Sequence, residues 1–132
     1  MIDQDLASSL AVYIQAALGR KAKEMTLMDV SQLTSVADVF LICSGKSNRQ
    51  VSAIADHIVT ELKAQGIKPL SVEGMREGLW VLLDYGHIII HVFYEPVRVV
   101  YDLEGLWADA GRISIDDIVD TSKYGYGVGA KE

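Results

Sequence analysis

The chain has 132 residues, room for one domain whose core can fold without covalent staples. Half of its residues are apolar and 23% are charged, which excludes a disordered chain. The net charge of −6 disfavours general binding to bare nucleic acid and suits a basic partner. Cys43 is the lone cysteine, so neither an internal disulfide nor a cysteine-built metal site is available. Met1 to Leu6 carries two Asp and no Lys or Arg, unlike a signal peptide. The apolar runs are far shorter than a membrane span. A soluble cytoplasmic protein with no membrane partner is the expectation.

The first predicted element is a helix from about Asp3 to Leu18. Leu6, Leu10, Tyr13, Ile14, Ala17 and Leu18 share one face at helical spacing. Asp3 or Asp5 can cap its start and Gly19 can end it. Arg20, Lys21 and Lys23 follow, where positive charge suits a helix C-terminus and forms a small basic patch. Residues 25–30 predict a strand. Residues 38–43 predict a stronger one, apolar enough to be covered on both faces. Gly45 then allows a tight turn. Ser47 and Gln50 form a capping box for a helix whose stripe is Val51, Ile54, Ala55, Ile58 and Leu62, ending at Gly66.

Ile67 to Val72 predicts another strand. Residues 79–83 and 88–94 predict an antiparallel hairpin turning at Tyr85-Gly86. Pro96 suits the first turn of a helix, predicted over 97–107. The composition changes near Gly111. Residues 114–117 predict one last short turn, and the end from Tyr124 to Gly129 is expected to be mobile. The chain therefore divides into a domain over 1–110 and a C-terminal extension over 111–132. The order α-β-β-α-β-β-β-α predicts an α/β fold: a single layered domain with a mixed five-stranded sheet and flanking helices.

His87 and His91 are four apart, but Ile88, Ile89 and Ile90 between them favour a strand. That places the two rings about 13 Å apart, too far for one ion. No metal is expected. His91 reads as a hydrogen-bonded histidine at a layer interface, and His57 as a solvated or half-buried helix residue. Cys43 precedes a helix N-terminus, which favours thiolate. A small buried apolar role is the commoner one for free Cys and is preferred. Ser44-Gly45-Lys46-Ser47 lacks the spacing of a phosphate-binding P-loop. It resembles the Gly-Ser turn of nucleotidyltransferases, but no predicted strand offers their carboxylate pair at alternate positions. Without one there is little to hold Mg2+. No enzyme activity and no cofactor are expected.

Glu73-Gly74-Met75-Arg76-Glu77-Gly78-Leu79-Trp80 reads differently. By strand parity Trp80, Leu82 and Asp84 share one face, and Leu79, Val81 and Leu83 the other. The second face is wholly apolar and should pack on the helices. The first is amphipathic, and with Tyr85 closing the strand it has the composition of a protein-binding surface.

Several runs resemble a known family. They are residues 37–45 (ADVFLICSG), 47–51 (SNRQV), Glu73-Gly74, 80–86 (WVLLDYG), 91–93 (HVF), 98–101 (RVVY) and 103–107 (LEGLW). Over roughly residues 5–110 the chain looks like the ribosomal silencing factor family RsfS, also called YbeB/Iojap. The C-terminal tail lies outside that pattern. The resemblance implies an α/β fold that is nucleotidyltransferase-like but lacks the catalytic carboxylates. It implies binding to the large ribosomal subunit through its protein number fourteen, a small basic protein. That binding blocks joining of the small subunit and represses translation when nutrients are scarce. Relatives in mitochondria and plastids act in large-subunit assembly, which is the alternative role here beside a residual nucleotidyltransferase-like enzyme. Free members can form a homodimer. No cofactor and no sequence-specific nucleic acid are implied.

Joined to the residue reading, the resemblance suggests a partner-binding set. Trp80 and Tyr85 are expected as apolar anchors, and Glu73 and Asp84 as partners of Lys or Arg. His91, Tyr101 and Glu104 are secondary candidates. Gly45, Ser47 and Gln50 match the family too but read as turn and cap residues.

Overall fold

The computed structural model describes residues 4–125. Asp3, expected as a cap, and the expected mobile end beyond Gly125 lie outside the described residues. Helix α1 (Gln4–Leu18) is followed by β1 (Lys23–Asp29), β2 (Val39–Gly45) and α2 (Asn48–Ala64). Then come β3 (Ser71–Glu73), β4 (Trp80–Asp84), β5 (Ile88–Tyr94), α3 (Glu95–Tyr101), α4 (Leu103–Leu106) and β6 (Gly111–Ile113). Two single 3-10 turns, Ile115–Asp117 and Thr121–Tyr124, follow.

The strands form one mixed sheet in the order β3-β4-β5-β2-β1-β6. β2 and β5 are parallel; the other neighbours are antiparallel. The sheet has six strands, not five. The sixth, β6, pairs Ile113 with Leu27 and comes from the segment read as an extension. Gly111-Arg112-Ile113 is too short to show a period of two, so only the docking partner reveals it. Ile115 and Val119 beyond it are buried in the main core.

Both faces of the sheet are covered at its centre. Val39, Leu41, Cys43, Val81, Leu83, Ile88, Ile90 and Val92 pack with the inner faces of α1 and α2. Met28, Phe40, Ile42, Ile89 and Phe93 point the other way and meet Leu103 and Trp107. That double burial explains why β2 is a continuous apolar run.

The capping box at α2 forms nearly as expected. Ser47 Oγ accepts the Gln50 amide at 3.1 Å. Gln50 Oε1, however, accepts the amide of Lys46, one residue before the cap. The predicted strand 67–72 shrinks to β3: residues 67–69 carry the chain out of α2, the Leu70 amide donates to the Asp84 carbonyl, and Ser71–Glu73 run in register with β4. The single helix predicted over 97–107 is two. Asp102 sits at φ 46°, in the left-handed region, and breaks it. Its carboxylate caps α4 by accepting the Gly105 amide at 3.2 Å. A Cβ at Gly105 would run into that carboxylate, so a larger residue there would push the cap aside.

Candidate functional site

Strand parity separates the candidate residues by face. Trp80, Leu82 and Asp84 of β4 point away from α1 and α2. Glu73 lies opposite Leu82, so the edge strand places it on the same side. His91 and Phe93 pair with Leu82 and Trp80 and also share it. Tyr101 and Glu104 reach this side from α3 and α4. Six of the seven candidates are thus brought to one side of the sheet.

Tyr85 is not. It is 8% exposed and packs edge-on against Tyr13 of α1, with ring centroids 5.3 Å apart. The expectation that Trp80 and Tyr85 share one exposed face is corrected: they are five apart, and odd spacing along β4 reverses the side. Burial pushes the Tyr85 phenol up to about 12. Leu79 departs from expectation too. It precedes the first paired residue of β4 and is 43% exposed rather than packed on the helices.

The centre of the face is aromatic. The Trp80 indole stacks on Phe93 at 4.8 Å and lies 4.9 Å from the Tyr101 ring. Its Nε1–H donates to His91 Nδ1 at 3.1 Å. Phe40 packs edge-on to both His91 and Trp107. His91 is 4% exposed, and burial pushes its imidazole down to about 4. It is therefore neutral near pH 7, with Nδ1 as acceptor and the proton on Nε2. This is the hydrogen-bonded layer histidine that the strand pattern suggested. Tyr101 in this centre remains open to solvent, as do Val99, Val100 and Leu106 on α3 and α4. Asp84 is held locally, its Oδ1 accepting the Gly86 amide at 2.8 Å in the β4–β5 turn.

Glu104 has a partner inside the chain. Arg98 Nη2 and Nε donate to Glu104 Oε2 at 2.6 and 3.0 Å. The same guanidinium donates to Ser44 Oγ at 2.7 Å and Thr26 Oγ1 at 3.2 Å. Burial raises the Glu104 carboxyl, but the Arg98 hydrogen bond and charge outweigh it and hold it below its ordinary value. Arg98 thus ties α3 and α4 to the middle of β1 and the end of β2, a role the sequence pattern did not single out. Ser44 is fully buried, so losing Arg98 strands its hydroxyl. Arg98→Met is expected to cost about 2 kcal/mol. Chemical denaturation measures it, and an unchanged midpoint would show the tie to be dispensable.

The remaining candidates occupy ordinary places. The Cys43 thiol is fully buried, and burial drives it up to about 12, which opposes a thiolate nucleophile. His87 packs against Tyr13 on the α1 side, whereas His91 packs against Phe40 on the other. Their rings cannot share an ion.

A family model described as "RsfS: Ribosomal silencing factor during starvation" matches residues 3–126. A ribosomal silencing factor RsfS of Halalkalibacterium halodurans is 34% identical over 119 residues, covering 90% of this chain and 99% of that protein. A crystal structure of a protein from Chromobacterium violaceum superposes with a TM-score of 0.72 at 37% identity. It covers 81% of this chain and 88% of its own. A more distant mouse relative is named "Mitochondrial assembly of ribosomal large subunit protein 1"; it is 29% identical over 89 residues, covering 65% of this chain and 39% of that protein. The match runs through every strand of the sheet and both short helices over the aromatic face, and this chain belongs to the RsfS family of ribosomal silencing factors.

Proposed function

We propose that this chain binds the large ribosomal subunit through its protein number fourteen and, by occupying that surface, blocks joining of the small subunit. The observation that carries the reading is the half-open aromatic face. Trp80 and Tyr101 lie at its centre, and α3 and α4 carry the exposed Val100 and Leu106. Glu73 and Asp84 flank it on β3 and β4, and Glu95 and Asp102 on the α3 side. An apolar centre with charged residues around it is the composition of a protein-docking surface. The acids suit a basic ribosomal protein and speed the encounter. Inhibition is then steric and needs no chemistry, in keeping with a family named for a regulatory role.

The test is co-sedimentation with purified large subunits, together with a subunit-joining assay. Tyr101 is 53% exposed, so Tyr101→Ala should leave the fold intact and weaken retention about tenfold. Retention should also fall as salt rises, because opposite charges meet across the interface. Full retention of Tyr101→Ala at all salt concentrations would reject this face as the docking site. When free, two copies are proposed to cover the same apolar surface on each other. Sedimentation velocity reads this as a dimer that protein number fourteen dissociates. A role in large-subunit assembly is the second reading, carried by the name of the mouse relative. Accumulation of large-subunit precursors on depletion would favour it.

A further inference from the structure

Five of the chain's twelve Lys and Arg residues lie at two junctions: Arg20, Lys21 and Lys23 between α1 and β1, and Lys46 and Arg49 where β2 passes into α2. All five are exposed. The strand register brings the turns together, because Lys23 pairs with Ser44, two residues before Lys46. Between them lies a hollow of about 480 Å³ lined by Arg20, Lys21, Ser47, Arg49 and Gln50 with two small residues. No Asp or Glu lines it. Among the described residues, none of the five cations is held by an ion pair or a side-chain hydrogen bond. In a chain of net charge −6, this is a local field of opposite sign.

The start of α2 is not itself the receptor. Ser47 Oγ already takes the Gln50 amide, and Gln50 Oε1 the Lys46 amide. What the hollow offers is unpaired cationic side chains. It also lacks the large apolar residues that a protein interface places at its centre. Cations among small polar residues fit phosphate groups instead, and they hold a backbone without reading bases.

The geometry points to a second contact surface: the face formed by residues 19–23 and 46–49 binds the phosphate backbone of RNA. It goes beyond the docking reading and rests on it only in taking that RNA to be the large subunit's. The two surfaces adjoin. Asn48 Nδ2 donates to the Glu77 carbonyl at 3.1 Å, and a Cβ at Gly78 would collide with the Asn48 carbonyl oxygen. The basic turn therefore presses directly on the loop that leads into Leu79 and Trp80. A domain seated on a ribosomal protein by its aromatic face can reach neighbouring RNA with this edge. The binding is sequence-independent and weak alone, because the rest of the surface repels phosphate.

The experiment is an NMR titration of the full isotope-labelled chain with a short RNA duplex at low salt. Shifts confined to residues 19–23 and 46–49 are expected, unchanged by scrambling the duplex and lost at high salt. The variant combining Arg20→Gln, Lys21→Gln and Arg49→Gln should bind the duplex at least tenfold more weakly. Its salt dependence should fall by about one in the log–log slope per charge removed. No shift with RNA, undiminished binding by the variant, or a response to a polyglutamate peptide in place of RNA each overturns the proposal. The titration contains no ribosome, so its failure is separable from failure of the docking reading. That reading is tested by Tyr101→Ala on intact subunits.

Discussion

Trp80→Ala is expected to weaken retention on the large ribosomal subunit about thirtyfold, equivalent to roughly 2 kcal/mol of binding. Trp80 unites three contacts that no neighbour replaces. Its ring stacks on Phe93, lies against Tyr101, and donates Nε1–H to His91. A half-buried indole at the centre of an aromatic cluster is rigid before the partner arrives, so little ordering entropy is lost on binding. The same truncation removes packing inside the domain and should cost about 2–3 kcal/mol of stability. Denaturation must therefore be measured beside co-sedimentation, at a temperature where the variant stays folded. Trp80→Phe is the milder variant: it keeps a ring to stack on Phe93 while losing the hydrogen bond to His91 and part of the packing. Wild-type retention of folded Trp80→Ala would mean that the partner does not use this face.

Acidification is expected to destabilise the domain by about 3 kcal/mol between pH 6.5 and pH 4. His91 has its imidazole lowered from 6.5 to about 4 by burial, with Phe40, Trp80 and Phe93 around it. The unfolded chain takes up a proton on this histidine as pH drops below 6.5, whereas the folded chain takes it up only near 4. Stability is therefore complete above 6.5 and falls through that window. Glu104, lowered by Arg98 against the effect of its burial, adds a loss further to the acid side as its carboxyl protonates. Protonation of His91 Nδ1 would also put a proton where the Trp80 N–H points. Acid thus acts directly on the aromatic face. Denaturation midpoints measured from pH 7.5 to 4.5 should slope for the wild type and flatten for His91→Phe. Equal slopes in both would assign the acid sensitivity to another group.

Local patterns made much of the fold legible. The heptad-like stripe of α2 and the Ser47/Gln50 cap are short-range signals, and both formed. Alternation along Trp80-Val81-Leu82-Leu83-Asp84 correctly divided β4 between two faces, because parity is a property of the strand itself. The same rule, carried one residue further, places Tyr85 behind the sheet. Residue type alone suggests an exposed anchor there; position along the strand decides otherwise. The break at Asp102 was not visible in the apolar pattern, since Val97, Val99 and Val100 suit helix and strand alike. What decides it is a side chain closing on Gly105.

The sequence by itself therefore determined the element order from α1 to β5, the continuous apolar centre of the sheet and the face that carries Trp80, because these rest on periodicity and local hydrogen bonding. Tertiary structure alone decided the sixth strand, the tie from Arg98 to Ser44, Thr26 and Glu104, and the pairing of Trp80 with His91. Those contacts join residues separated by 6 positions, from Arg98 to Glu104, up to 86, from Leu27 to Ile113, where no local propensity acts and only chain packing brings the groups together. The meeting of the two basic turns is of this second kind. Composition showed a net charge of −6, but only the β1–β2 register gathers five cations at one edge.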